Sequence, residues 1–150
     1  MERIVCGGNV LAADPEKTAR YYKKQSPCGC SGCRNFYFQI KEKYPQLAAL
    51  LEQFGADVLK PDETPWFEAE DHIEYFPYYT AAGRIETKGG EQFEIGDLCV
   101  DFIRPGDPSG NIPNNQSGPY FIIGIYGIKL PWAPNESFPA KEGPVPTEKL

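Results

Sequence analysis

The sequence predicts an α+β protein, with N-terminal helices packed on one face of a mostly antiparallel C-terminal sheet. Three observations carry this. Apolar residues recur at helical spacing only between about residues 14 and 55. Strand-forming runs with period-two alternation fill about 72–130. Between them lies ADVLKPDETPWFEAEDH, acidic and interrupted by prolines, which reads as a connection. A chain of 150 residues predicts one domain, here 1–132, followed by a Pro-rich tail over 133–150.

Arg3 to Cys6 reads as a short strand ended by Gly7 and Gly8. Asp14 followed by Pro15 is a helix start, because the carboxylate can cap free N–H groups and proline suits the first helical position. A helix over about 15–24 turns Ala19 and Tyr22 inward, and Ser26-Pro27 ends it. Ser31 can cap a second helix, whose apolar stripe is Cys33, Phe36, Tyr37, Ile40 and Tyr44. Pro45 closes it and opens a third, with Leu47, Leu50, Leu51 and Phe54 at helical spacing and Gly55 as the left-handed stop.

In the second half, Pro77 inside HIEYFPYYTAAGRIE demands an edge strand or a bulge. Lys88-Gly89-Gly90-Glu91 reads as a hairpin turn joining 84–87 to 92–95. DLCVDFIR alternates, with Leu98, Val100 and Phe102 on one side. Residues 105–119 form a long polar loop. YFIIGIYGIKL is apolar on both faces and reads as a central strand, with bulges or close approach at Gly124 and Gly127.

The net charge of −6 and the lack of a basic stripe argue against a nucleic-acid partner. No apolar run approaches the roughly 20 residues of a membrane helix. The N-terminus lacks the pattern of a signal peptide, so a cytoplasmic location is expected, and with it free thiols or metal ligands.

The most specific chemistry lies in SPCGCSGCRNFY, residues 26–37, which holds three of the five cysteines. Cys30 and Cys33 have the two-residue spacing that presents two thiolates to one ion, and Cys28 can add a third. Cys6 is the expected fourth zinc ligand, ahead of His72, with Cys99 in the core. A plain turn is the first reading of these cysteines, ahead of the metal, with Cys33 under its helix as a small apolar group and Cys28 and Cys30 filling the turn. A redox pair is the third reading, since a helix N-terminus favours a thiolate.

The acidic segment offers Glu68, Asp71 and the sole histidine, His72, as a hydrolase-like corner; a solvated acidic loop is the plainer reading. EYFPYY mixes acid and aromatics. Strand alternation should divide Tyr75 and Tyr79 from Phe76 and Tyr78. One set should pack on the helices and the other join Glu74 in a surface for a protein partner, for which the chain's acidity suits a basic one. The sequence therefore points first to a non-enzymatic interaction protein binding through Glu74, Tyr75, Phe76, Tyr78 and Tyr79. A structural zinc on Cys28, Cys30, Cys33 and Cys6 comes second, and an enzyme third.

Overall fold

The computed structural model describes residues 1–133; residues 134–150, which hold nearly all of the expected Pro-rich tail, lie outside the described residues. The architecture is α+β, with the helices N-terminal to most of the sheet, as the sequence predicts.

Strands β1 (Glu2–Cys6) and β2 (Asn9–Ala13) form a hairpin around Gly7 and Gly8. Both glycines have positive φ, 57° and 80°, which a two-residue hairpin turn needs. β2 is not anticipated by the sequence. NVLAA is a weak strand former, and it is extended because β1 and β5 pair with its two sides.

Helix α1 (Pro15–Lys23) begins where expected, with the Asp14 carboxylate accepting from the Lys17 N–H at 3.1 Å. Its buried face is Thr18, Tyr21 and Tyr22; Ala19 is only half-buried. Helix α2 (Ser31–Lys43) is capped by Cys30 instead of Ser31, with the Cys30 sulfur accepting from the Cys33 N–H at 3.4 Å. Helix α3 (Pro45–Gln53) follows at Pro45. Phe36, Ile40, Leu47, Leu51 and Phe54 are all fully buried, so the two stripes meet in one core. Gly55 stops α3 at φ 81°, and a Cβ there would lie 2.1 Å from the Pro15 carbonyl oxygen.

The strands of the second half are β3 (Trp66–Glu68), β4 (Ile73–Tyr75), β5 (Tyr78–Thr87), β6 (Phe93–Ile95), β7 (Leu98–Ile103), β8 (Tyr120–Tyr126) and β9 (Ile128–Leu130). Two antiparallel sheets result, ordered β1-β2-β5-β8-β7-β6 and β3-β4-β9. β8 lies in the middle of the first, and Phe121 through Ile125 are buried on both faces. The long pair β5–β8 continues as β4–β9 beyond a corner. Tyr78 is paired with Gly124 and Tyr75 with Ile128, so the β8–β9 side carries one extra residue. Pro77 and Gly127 (φ 99°) occupy that corner, which is the bulge that Pro77 demands.

The expected hairpin 84–87 to 92–95 does not form. β5 pairs with β2 and β8, while β6 is an edge strand on β7. The segment between them is held elsewhere: Gly89 N–H donates to Asn9 Oδ1 at 2.8 Å, and Phe93 packs over Gly7. β2 has already taken the edge of β5 that a local hairpin would use.

The first half of β5 has a strand on one side only, and the other side is completed by polar groups. Asp14 N–H donates to the Ala82 carbonyl at 3.0 Å, and Ala82 N–H to Thr18 Oγ1 at 2.8 Å. Tyr22 Oη both donates to the Thr80 carbonyl and accepts from the Thr80 N–H, each at 2.9 Å. Asp62 and Glu63 pair with the backbone of Tyr78. α1 thereby replaces a missing strand, which no buried backbone group can go without.

Candidate metal centre

The loop after α1 brings Cys28, Cys30 and Cys33 together, with their sulfurs all within 4.8 Å of one another. Nothing lies within 4 Å of where a Gly29 Cβ would stand, so the loop is open between the first two thiols and its course does not itself require glycine there. Arg34 in the first turn of α2 returns to the Gly29 carbonyl and closes the loop. Cys28 and Cys30 are exposed and Cys33 is buried.

The thiols differ in chemistry. Cys33 donates a hydrogen bond to the Cys30 sulfur, whose backbone partners add to it, and the Cys30 thiol falls to about 5. That bond also holds the proton on Cys33, whose pKa rises, with burial reinforcing the effect. Tyr37, one turn on, lies against Cys33; its hydroxyl is pushed up by burial and by the neighbouring sulfurs. The sequence places Tyr37 on the core stripe, and the structure adds it to the wall of the thiol cluster.

Long-range contacts anchor this loop to the sheets. Gly32 lies under the Trp66 indole, where a Cβ would stand 2.5 Å from the ring. Tyr75 Oη donates to the Gly32 carbonyl at 2.7 Å and accepts from Asn35 Nδ2 at 3.0 Å. Asn35 is fully buried. Its Oδ1 accepts from Gln39 Nε2 at 2.8 Å and from the Ala133 N–H at 2.9 Å. Four buried polar groups thus satisfy one another and pin the N-terminus of α2 to β4 and to the chain after β9.

Cys6 ends β1, opposite Asn9, and its sulfur is not in the gathered group; burial raises its pKa. The structure therefore assembles three of the four expected ligands. Cys99 is half-buried on β7.

His72 is elsewhere, with Nδ1 at 2.8 Å from Asp71 and Nε2 at 3.3 Å from Glu74. The two carboxylates hold the imidazolium, so the His72 pKa is raised, Asp71 contributing most. Glu68 is opposite Ile73 in the β3–β4 register, and so shares its face of the sheet and not that of Glu74. The corner expected from Glu68, Asp71 and His72 is instead a pair of acids, Asp71 and Glu74, on either side of the ring.

The EYFPYY rings divide as alternation predicts. Tyr75 and Tyr79 are fully buried, Tyr75 against Phe36 at 5.2 Å and Tyr79 donating to the Val58 carbonyl. Neither can touch a partner. Phe76 and Tyr78 are half-exposed on the other face. There Phe76 stacks on Phe67 at 5.6 Å and meets Tyr126 at 6.3 Å, and Tyr126 in turn meets Tyr78 at 6.5 Å. Phe67 is 47% exposed. Phe67 and Tyr126 escape sequence reading because only pairing across strands brings them to Phe76.

No protein-family model, curated protein or solved structure matches this chain. Among the described residues no helix is long and apolar enough to cross a membrane.

Proposed function

We propose that this chain is a zinc-binding protein, with Cys28, Cys30 and Cys33 as thiolate ligands and the metal fastening the α1–α2 loop to the N-terminus of α2. One observation carries the reading: the three sulfurs lie within 4.8 Å of one another. Zinc–sulfur bonds of about 2.3 Å in a tetrahedron put sulfurs about 3.8 Å apart, a separation inside that limit. The depressed Cys30 thiol and the helix N-terminus both favour thiolate. Two of the three ligands are exposed, and the fourth position is open to water or to a donor from another molecule.

The test is metal content of the natively purified chain, with cobalt substitution to read sulfur ligation. One equivalent is expected, with a thiolate-to-cobalt charge-transfer band. Cys28→Ser, Cys30→Ser and Cys33→Ser should each lose it, and Cys6→Ser and Cys99→Ser should keep it. Metal-free protein with no cobalt band overturns the reading, and loss of the band in Cys6→Ser overturns the three-thiolate form of it.

A second reading rests on the half-exposed ledge of Phe67, Phe76, Tyr78 and Tyr126. Exposed aromatics suit a protein interface, and the chain's charge of −6, with Glu74 paired opposite Phe67, favours a basic partner. A basic protein that binds the wild type should dissociate faster from Phe76→Ala and associate more slowly as salt rises. Unchanged affinity in Phe67→Ser/Phe76→Ala, or self-association that this double variant abolishes, removes the basic-partner reading.

A further inference from the structure

The clearest departure from the chain's acidic balance is a cavity of about 370 Å³ between α1 and the loop before β8. Lys17 and Arg20 of α1 and Lys24, the residue that ends it, line one wall, and Asn115, Gln116 and Ser117 line the other. None of the three cations forms an ion pair with a carboxylate among the described residues. Cations in the last turn of a helix commonly answer its dipole, and that suffices for Lys23, which does not line the cavity. It does not explain why three like charges line one open cavity, where they repel.

The opposite wall is shaped to meet them. Gly118 has φ 84°, and a Cβ there would stand 2.8 Å from Lys17 Nζ, so the glycine makes room for the ammonium group. Asn114 Oδ1 accepts from the Gln116 N–H at 2.9 Å and turns the loop toward α1. Asn115 N–H points to Tyr21 Oη at 3.4 Å. Gln116, on this wall, has its Oε1 buried with no hydrogen-bond partner, an acceptor left unsatisfied beside the cavity. A second cavity, about 340 Å³, shares Gln25 and Asn115 with the first and is lined by Ser26, Lys60, Asp62 and Asn114, all able to bond hydroxyls.

We propose that this double cavity binds a small phosphorylated, hydroxyl-bearing molecule. The phosphate sits among Lys17, Arg20 and Lys24, and hydroxyl groups extend past Gln116 toward Asn114 and Asp62. Arginine's planar fork suits two phosphate oxygens, and the lysines supply point charge. The polar second cavity selects hydroxyls over an apolar substituent. The site is distinct from the thiol cluster, since no cysteine lines either cavity.

Calorimetric titration with ribose 5-phosphate, inorganic phosphate and ribose tests the proposal. Ribose 5-phosphate should bind saturably and at least about tenfold more tightly than inorganic phosphate, with no heat from ribose. Arg20→Ala should weaken binding by about 10- to 100-fold, the worth of a charge-assisted hydrogen bond. Lys23→Ala, on the same helix but outside the cavity, should leave it unchanged. Unsaturable binding overturns the site, as does equal loss in Arg20→Ala and Lys23→Ala. Equal affinity for inorganic phosphate and ribose 5-phosphate overturns the hydroxyl-bearing ligand.

Discussion

The thiol cluster and the Asp62 cluster are built in opposite ways. Cys28, Cys30 and Cys33 come from six consecutive residues, and one short loop is enough to bring their sulfurs together. Asp62 stands in a connection, yet it accepts from Tyr21 Oη, 41 residues away in α1, and from Thr80 Oγ1, 18 residues away in β5, each at 2.5 Å. The first cluster gathers chemistry locally and leaves it exposed. The second exists only in the folded chain, and it joins the connection, α1 and β5. Local clusters carry reactivity at little cost to the fold, whereas the distributed one is part of what holds the fold together.

That contrast predicts where substitutions hurt. Asp62→Ala should have the largest effect on stability. It leaves the Tyr21 and Thr80 hydroxyls without their acceptor in a largely buried place, at about 1–3 kcal/mol each, or about 3 kcal/mol in sum. For a chain of this size that is roughly a 10 °C fall in Tm. Burial raises the Asp62 pKa against the pull of its two hydroxyl donors, so the carboxylate itself adds less than the bonds it accepts. Tyr21→Phe and Thr80→Val should each cost less, and their double variant should be non-additive because the two share one carboxylate. Denaturant melts that place Asp62→Ala within about 0.5 kcal/mol of wild type, the range of an ordinary surface change, would break the comparison.

Gly32→Ala sharpens it, because Gly32 is where the local cluster meets a distant residue. The added methyl would stand 2.5 Å from the Trp66 ring. Overpacking costs about 1–3 kcal/mol, and the better helix propensity of alanine offsets up to about 1 kcal/mol. A net loss of about 1 kcal/mol is expected, with a red shift of tryptophan emission as Trp66 is lifted. Higher stability with unchanged emission would show that the loop does not depend on β3.

The same contrast explains what could be read in advance. The stripe from Phe36 to Phe54 and the alternation through EYFPYY repeat at fixed spacing, so the sequence exposes them directly. Pro77 announces its bulge because it lacks an N–H. β2 and the fate of β6 were hidden, since both depend on which strand occupies the edge of β5. The thiol group was legible but its fourth ligand was not. Cys6 is as plausible as any distant cysteine until β1 is paired with β2, and that pairing commits it to the far end of a hairpin. Phe67, Tyr126 and the basic cavity likewise need partners from other elements before they mean anything.

His72 provides the smallest effect and the most local one, since its partners are its neighbour Asp71 and, two residues on, Glu74. Both carboxylates favour the charged ring, so the folded pKa lies above the unfolded one. The sign follows from that order. Any stability gained is fully present below the unfolded pKa and is lost as pH rises through the raised folded value. The groups are well solvated, so the melting temperature should hardly move, and the readout is the ring's own titration by NMR. Asp71→Asn should lower the midpoint, and Glu74→Gln should lower it less, because the bond from Asp71 is the shorter. A midpoint that Asp71→Asn leaves in place would mean that the imidazolium is not held by this pair, and that even adjacent residues here need a distant partner to explain them.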